Sequence, residues 1–301
     1  MTIEQLNADY GIAEHLHFSL GKGDFPLIHI DNPHAQASIS VYAGQVLSYC
    51  PKAAEADLLF LSQNAYFQTG KAIKGGIPIC WPWFGPDPEK LGRASHGFVR
   101  NRLWSVQSTM TTPEQATKVT LGLVNTPDTQ EIWPYAFALS IEITVGQTLN
   151  IALITRNTGH QPFPLTQALH TYFQIGDINT VRVKGLEGKQ YIDKVDGGHQ
   201  KQQSGLVTLS EEVDRIYMDI SPELVIEDPT LHRKIRIQSQ GSQTAIVWNP
   251  WIDKAAQMAD FANDEYQQMV CVETANAAND VVNLPPNGEH HLGVNYRVEA
   301  G

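Results

Sequence analysis

The stretch SIEITV, residues 140–145, alternates apolar and polar side chains. In an extended chain Ile141, Ile143 and Val145 fall on one face, whereas Glu142 and Thr144 fall on the other. A two-residue period predicts a β-strand with one buried face. The same period recurs at residues 119–123, 149–153, 181–183, 235–237 and 292–298.

Polar turn sequences separate these predicted strands. Examples are NTGHQP at 157–162, DGGHQ at 196–200 and SQGSQ at 239–243. Many short strands with turns between them predict an all-β, antiparallel sandwich or barrel rather than a fold of alternating strands and helices. We find no internal repeat, linker or low-complexity segment, and we expect residues 1–301 to form one domain.

Only a few short helices are expected. Thr2 and Gln5 form a capping-box pattern that predicts a short N-terminal helix. A second helix is predicted over residues 253–265, with Asp253 as its N-cap. The segment 52–62 is compatible with either a helix or a strand.

Composition excludes several classes of protein. The formal net charge is −11 and no cluster of Lys and Arg is visible, which argues against a nucleic-acid binder. Three cysteines without metal-type spacing indicate reduced thiols rather than a disulfide framework. The sequence shows neither a signal peptide nor an apolar membrane segment, so we expect a cytoplasmic protein without a membrane partner. No coiled-coil or exposed apolar motif is visible, so we also expect a monomer.

The segment GGIPICWPWFGPDPEKLG, residues 75–92, is rich in glycine, proline and aromatic residues. Proline restricts the backbone before folding, so such a loop can be stiff without regular structure. Its aromatic side chains could pack on the apolar face of a sugar ring. The alternative is a loop that covers one end of the sandwich with its aromatic residues buried.

Two residues on predicted strands could carry acid–base chemistry. In LTQALHTYF, residues 165–173, alternation places His170 on the same face as Thr166 and Tyr172. In MVCVETANA, residues 269–277, Glu273 lies in an apolar strand, where burial would raise its pKa towards the range of a general base. A structural histidine and an edge-strand glutamate facing water are the alternatives. Spacing alone does not link the two residues.

Cationic and acidic residues supply candidates for substrate binding. Lys74 precedes a glycine pair that would let backbone amides approach an anion, and Arg100 lies in SHGFVRNRLW. Asp214 could accept hydrogen bonds from sugar hydroxyls or pair with Arg215. His15 with His17, and His290 with His291, lack further ligands at recognisable spacing, so no metal site is predicted.

Five segments in chain order resemble the glucose-6-phosphate 1-epimerase family, which is related to the aldose 1-epimerases. They are KGGIPICWPWFGP from residue 74, HGFVR from 96, LTQALHTYF from 165, EVDRIY from 212, and VWNPW from 247 followed by VCVETAN from 270. The resemblance extends from about residue 39 to residue 298. It implies a galactose-mutarotase-like antiparallel β-supersandwich and interconversion of the α and β anomers of a hexose 6-phosphate, without metal or organic cofactor.

The resemblance also implies roles for individual residues. His170 matches the catalytic acid and Glu273 the catalytic base. The substrate-binding positions correspond to Lys74, Ser95, His96, Arg100 and Asp214. Some relatives carry Arg at the position of Lys74 and Gln at the position of Ser95. Two other functions stay open: an aldose 1-epimerase acting on unphosphorylated sugar, and a carbohydrate-binding sandwich without catalytic activity.

Overall fold

Short antiparallel strands make up most of the structure, a computed structural model that describes residues 1–301. In chain order the strands are β1 Leu16–Leu20, β2 Pro26–Asp31, β3 Ala35–Ser40, β4 Gln45–Pro51, β5 Ile79–Cys80, β6 Ser105–Thr111, β7 Thr117–Val124, β8 Phe137–Val145, β9 Leu149–Asn157, β10 Phe163–Leu165, β11 Gln167–Leu169, β12 Tyr172–Gln174, β13 Arg182–Lys184, β14 Gln190–Asp193, β15 His199–Gln202, β16 Val213–Tyr217, β17 Glu223–Asp228, β18 Arg233–Gln240, β19 Thr244–Asn249, β20 Met269–Asn276, β21 Val282–Leu284 and β22 Glu289–Ala300.

Helices are few and short: α1 Ile3–Tyr10, α2 Pro127–Ile132 and α3 Trp251–Ala256, with single 3-10 turns at Lys22–Asp24, Val99–Asn101 and Glu265–Gln268. The predicted capping box of α1 is confirmed, because Thr2 and Gln5 exchange side-chain-to-backbone hydrogen bonds. The helix predicted over 253–265 is wrong in both bounds. Helix α3 begins at Trp251 and ends at Ala256, and the chain then turns so that Phe261 is buried against Phe60.

Two eight-stranded antiparallel sheets dominate the architecture. One has the order β13-β17-β18-β22-β9-β8-β7-β6. The other, called here the site sheet, has the order β15-β14-β16-β19-β20-β11-β5, and β12 also pairs with β20. A four-stranded sheet of β1 to β4 and a β10–β21 pair complete the fold.

The alternation that predicts strands also builds the core. In β8, Ile141, Ile143 and Val145 are buried and the residues between them are half-buried, as predicted. The apolar faces of both large sheets contribute to one continuous cluster of 58 buried residues. Burying such faces against each other is the main favourable contribution to the folding of a sandwich.

Strand β20 is buried along its entire length. Val270 and Val272 belong to the main core, whereas Cys271 and Ala275 pack in smaller clusters on the opposite face. Because side chains alternate along a strand, Glu273 lies on the same face as Cys271. The site sheet therefore turns one face to the core and the other to the cavity described next.

Candidate active site

His170 and Glu273 meet on the site sheet although 103 residues separate them in sequence. Strands β11 and β12 both pair with β20, with Leu169 opposite Thr274 and Tyr172 opposite Cys271. His170 lies at the break between the two short strands, where its backbone N–H donates to the carbonyl oxygen of Pro78 at 2.9 Å. Its Nε2 lies 3.4 Å from Oε1 of Glu273.

Both members of this pair are buried. His170 is 9% exposed and Glu273 is 2% exposed. Burial lowers the pKa of His170 well below its ordinary value, and the positive charges of Arg100 and Lys74 lower it further. Burial also raises the pKa of Glu273 well above its ordinary value. The contact could hold an ion pair, but both shifts favour the neutral pair, with the proton on the carboxyl group.

Each residue of the pair keeps one polar atom free. The Nδ1 atom of His170 and the Oε2 atom of Glu273 are buried and have no hydrogen-bond partner in the protein. Buried polar atoms are normally paired, and unpaired ones are costly unless a ligand satisfies them. The carboxyl group thus has an acceptor that no protein donor uses.

Three aromatic side chains fix the imidazole ring of His170. Tyr172 stacks on it with a centroid distance of 4.9 Å, and Trp248 and His96 approach edge-on. His96 accepts a 3.3 Å hydrogen bond from the backbone N–H of Gly85 at its Nδ1. Burial lowers the pKa of His96 to about 3, so the ring is neutral at pH 7 and carries its proton on Nε2. His96 is therefore a hydrogen-bond donor of fixed tautomer.

All seven site residues identified in the sequence line one cavity of about 620 Å³: Lys74, Ser95, His96, Arg100, His170, Asp214 and Glu273. A volume of this size is within the range of small-molecule sites. The wall is completed by Phe84, Gly85, Pro86, Tyr172, Lys194, Ile216, Ile246, Trp248, Lys254, Met258 and Ala278. The cavity is therefore polar at His170 and Glu273, and its wall is mixed polar and apolar elsewhere.

The cavity carries more positive than negative side chains. Lys74, Arg100, Lys194 and Lys254 line it together with only two carboxylic residues, Asp214 and Glu273. This local excess occurs on a protein with a formal net charge of −11. An anionic group would therefore be attracted by close charges while the distant negative charges are screened.

The four cations differ in their partners. Arg100 forms no salt bridge, and its guanidinium donates to the carbonyl oxygen of Ser95 at 3.0 Å. Lys74 lies 3.5 Å from a carboxylate oxygen of Asp260, and Lys254 lies 3.4 Å from Glu212. The side chain of Lys194 is exposed and lines the cavity wall.

Asp214 does not pair with its neighbour Arg215, whose guanidinium lies over the ring of Tyr191 and donates to Gln203. Burial raises the pKa of Asp214, while the nearby charges of Lys194 and Lys254 oppose that rise. Asp214 is thus a half-buried acceptor on the cavity wall, consistent with the hydroxyl-binding alternative rather than the Arg215 pair.

The loop 75–92 divides its aromatic residues between two environments. Trp81 and Trp83 are buried, and each indole N–H has a protein acceptor, Thr155 and Ala94 respectively. The two tryptophans therefore follow the alternative in which the aromatic residues of the loop are buried. Only Phe84, with Gly85 and Pro86, reaches the cavity wall.

The next part of the loop is closed on itself by a buried ion pair. Arg93 contacts Asp87 at 2.5 Å and stacks over Trp83. The backbone N–H groups of residues 89, 91 and 93 also donate to the Asp87 carboxylate. These bonds hold the pKa of Asp87 below its ordinary value.

The glycine pair after Lys74 serves backbone packing rather than anion binding. A Cβ on Gly76 would lie 2.2 Å from the carbonyl oxygen of Val46, and one on Gly75 would lie 2.6 Å from the backbone of Phe60 and Leu61. Both residues also have positive φ angles. The Gly76 N–H donates to the Phe60 carbonyl oxygen at 2.7 Å and is not free to bind an anion.

Three charged residues at or next to the cavity, Lys194, Lys254 and Asp260, were not identified from the sequence. Lys254 follows the VWNPW segment by only three residues, which is a usable signal, but Lys194 and Asp260 lie in unremarkable polar segments.

The paired histidines have other contacts: His17 stacks on His29, and His290 and His291 bond to Asn276 and Glu289. No group of three or more potential metal-ligating side chains is present. None of the helices is long and apolar enough to cross a membrane.

Comparison with known proteins agrees with this geometry. The sequence profile described as aldose 1-epimerase matches residues 26–297. A protein of Escherichia coli K12, provisionally named glucose-6-phosphate 1-epimerase, is 37% identical over 276 residues, which cover 91% of each chain.

Solved structures show the same fold. The crystal structure of YeaD from Salmonella typhimurium, provisionally assigned as a mutarotase, has a TM-score of 0.90 and 33% identity, with 99% of each chain covered. A galactose mutarotase-like protein from Clostridium acetobutylicum has a TM-score of 0.74 at 13% identity, covering 95% of this chain and 98% of that one. The predicted all-β, galactose-mutarotase-like fold is confirmed.

Proposed function

Because the chain belongs to the aldose 1-epimerase family, we propose that it interconverts the α and β anomers of a hexose 6-phosphate, with glucose 6-phosphate as the substrate. The observation that carries the proposal is the buried His170–Glu273 pair, 3.4 Å apart, in a cavity with an excess of cations. An acid and a base side by side are what ring opening requires, and the cations suit a phosphate.

The reaction moves two protons around the anomeric carbon. The hydroxyl on C1 loses its proton to Glu273, a C1=O double bond forms, and the bond from C1 to the ring oxygen breaks. The ring oxygen takes a proton from His170. Rotation about C1–C2 presents the other face of the aldehyde, and the reverse transfers close the ring as the other anomer. General acid–base steps of this kind each contribute on the order of 10²–10⁴-fold in rate.

This cycle needs the proton on His170 and the carboxyl group of Glu273 ionised, whereas burial of the two side chains favours the opposite arrangement. Substrate binding would reverse this preference and move the proton from Glu273 to His170. A phosphate dianion near Lys74 and Arg100 offsets the two charges that lower the pKa of His170. The C1 hydroxyl, by donating to the unpartnered Oε2 of Glu273, favours the carboxylate. We therefore propose that the pair becomes charged only when substrate is bound.

The other wall residues would bind and orient the sugar. His96 presents an Nε2–H donor of fixed tautomer, and Asp214 is an acceptor for hydroxyl groups. Arg100 lacks a carboxylate partner and is therefore available to phosphate. Ser95 contributes its carbonyl oxygen to hold Arg100, a role that does not depend on the length of its side chain.

The test compares anomer exchange of glucose 6-phosphate and glucose by NMR saturation transfer between the two anomeric protons. We expect the enzyme to accelerate exchange of the phosphorylated sugar far more strongly. Equal acceleration of both sugars would indicate an aldose 1-epimerase without phosphate selectivity. Binding of sugar without faster exchange would indicate a carbohydrate-binding sandwich that lacks catalytic activity.

We also propose a cytoplasmic, monomeric protein. The three cysteines are all free thiols, and two of them, Cys80 and Cys271, are buried, which suits a reducing compartment. Light scattering of the purified protein tests the monomeric state, and a dimer mass would contradict it.

A further inference from the structure

The ammonium group of Lys74 has an acidic partner that lies behind the cavity wall. Its Nζ is 3.5 Å from Oδ2 of Asp260, and the two side chains are 21% and 23% exposed. Lys74 lines the cavity, whereas Asp260 does not. Asp260 lies after α3 in the segment that carries Phe261 into an apolar cluster with Phe60 and Tyr172.

We propose that Asp260 is a positioning residue that holds the Lys74 ammonium, charged and oriented, for the phosphate of the substrate; this rests on the function proposed above. A lysine has a flexible four-carbon stem and lacks the rigid planar fork of arginine. A second contact is needed to keep its charge at one place.

The buried carboxylate of Glu265 links the chain segments that carry Lys74 and Asp260. Glu265 is 6% exposed. Its Oε2 accepts from Ser62 Oγ at 2.6 Å and from the Ala262 N–H at 2.8 Å, and its Oε1 accepts from the Gln63 N–H at 2.7 Å. The Ser62 N–H in turn donates to the Lys74 carbonyl oxygen at 3.1 Å. One side chain thus ties the backbone at Lys74 to the segment that starts at Asp260.

The charge environment of Lys74 explains why it needs a partner. Burial lowers the pKa of Lys74, and the neighbouring charge of Arg100 lowers it further, while Asp260 opposes both effects. Without Asp260 the ammonium would lose its proton at a lower pH and would be free to turn away from Arg100.

Two physical effects predict opposite results for Asp260→Asn. The substitution removes one negative charge near a phosphate site, and simple attraction then predicts tighter phosphate binding. Loss of positioning predicts weaker binding. The direction of the change therefore decides between the two.

The experiment uses the full-length protein and its variants Asp260→Asn, Asp260→Glu and Asp264→Asn. Asp264 is exposed, lies in the same segment and makes no salt bridge, so its substitution is a control for charge. The dissociation constant of inorganic phosphate is measured by calorimetry, and KM and kcat for glucose 6-phosphate by NMR, at pH 7 and pH 9. Circular dichroism verifies folding.

For Asp260→Asn we expect both constants for the phosphate compounds to rise roughly fivefold at pH 7, the size expected for a partly buried ion pair. The rise should be larger at pH 9, and kcat should stay within about twofold, because the proton-transfer pair is untouched. Asp260→Glu should restore most of the affinity, and Asp264→Asn should leave it unchanged.

Unchanged or tighter phosphate binding by Asp260→Asn, with an active parent, would overturn the positioning role alone. A parent that neither binds phosphate nor prefers glucose 6-phosphate to glucose would overturn the proposed function and this role with it. An effect of Asp264→Asn as large as that of Asp260→Asn would assign the loss to general charge and would also reject the proposal.

Discussion

Replacing Glu273 by Gln tests the proton-transfer pair directly. The substitution keeps the shape of a side chain that is 2% exposed, but the amide can neither accept the C1 hydroxyl proton nor share a proton with His170 across the 3.4 Å contact. Loss of a general base costs about 10²–10⁴-fold in rate. At 1.36 kcal/mol for each factor of ten, this is about 2.7–5.4 kcal/mol of activation free energy.

The same variant should differ in stability in a pH-dependent way. Because burial raises the pKa of Glu273 in the folded state, this group favours folding most below pH ~4.3, and its contribution declines as the pH rises above that value. Gln does not titrate. The melting temperature of the variant minus that of the parent should therefore increase between pH 5 and pH 8.

Anomer exchange of glucose 6-phosphate is measured by NMR after subtraction of the spontaneous rate, and melting by circular dichroism. The control is Glu289→Gln, because Glu289 forms an exposed contact with His291 at 2.7 Å and lies outside the cavity wall. A loss of activity below tenfold in Glu273→Gln would refute the assignment of this residue as the base.

Four further outcomes are expected. His170→Asn should also lower kcat by at least 10²-fold with the fold intact, whereas His291→Asn, at the exposed pair, should have no effect on NMR exchange. Arg100→Ala should reduce kcat/KM for glucose 6-phosphate far more than for glucose, and equal losses would reject a phosphate-binding role. The pKa of His170 is depressed in the free enzyme, so kcat/KM, after correction for ionisation of the substrate phosphate, should fall with decreasing pH only below pH 6.5. A fall that begins above pH 7 as the pH is lowered would contradict the neutral pair. Gly76→Ala should lower the free energy of unfolding in urea by more than about 2 kcal/mol, because its Cβ would clash with the backbone of β4 at a positive φ; Gly188→Ala, also at positive φ but with open space around it, should cost less.

Alternation predicts which face of a strand a residue occupies, because that depends only on neighbours in sequence. The positions of His170 and Glu273 relative to the apolar residues around them were predictable for this reason. Their contact was not, since strand pairing such as β11 and β12 with β20 depends on residues far apart in the chain. Only the resemblance to a family linked them.

The wrong helix prediction, and the burial of the tryptophans that the sequence left open, both have tertiary causes. The helix expected over 253–265 ends at Ala256 because the chain turns there to bury Phe261 in the apolar cluster around Phe60. Trp81 and Trp83 can be buried without leaving a polar group unpaired, because each indole N–H has a hydrogen-bond acceptor inside the protein. Neither Thr155 nor Ala94 can be identified as a partner from sequence spacing.

Residues 84–96, within which Asp87 and Arg93 form an ion pair, supply Phe84, Ser95 and His96 to the cavity. The proton-transfer pair, in contrast, belongs to the site sheet. If the proposed function holds, this segment would contribute to the choice of sugar, whereas the two residues proposed to transfer protons lie on a different element. Replacing residues 84–96 by loops of other lengths should change which sugars enter the cavity without changing the positions of His170 and Glu273.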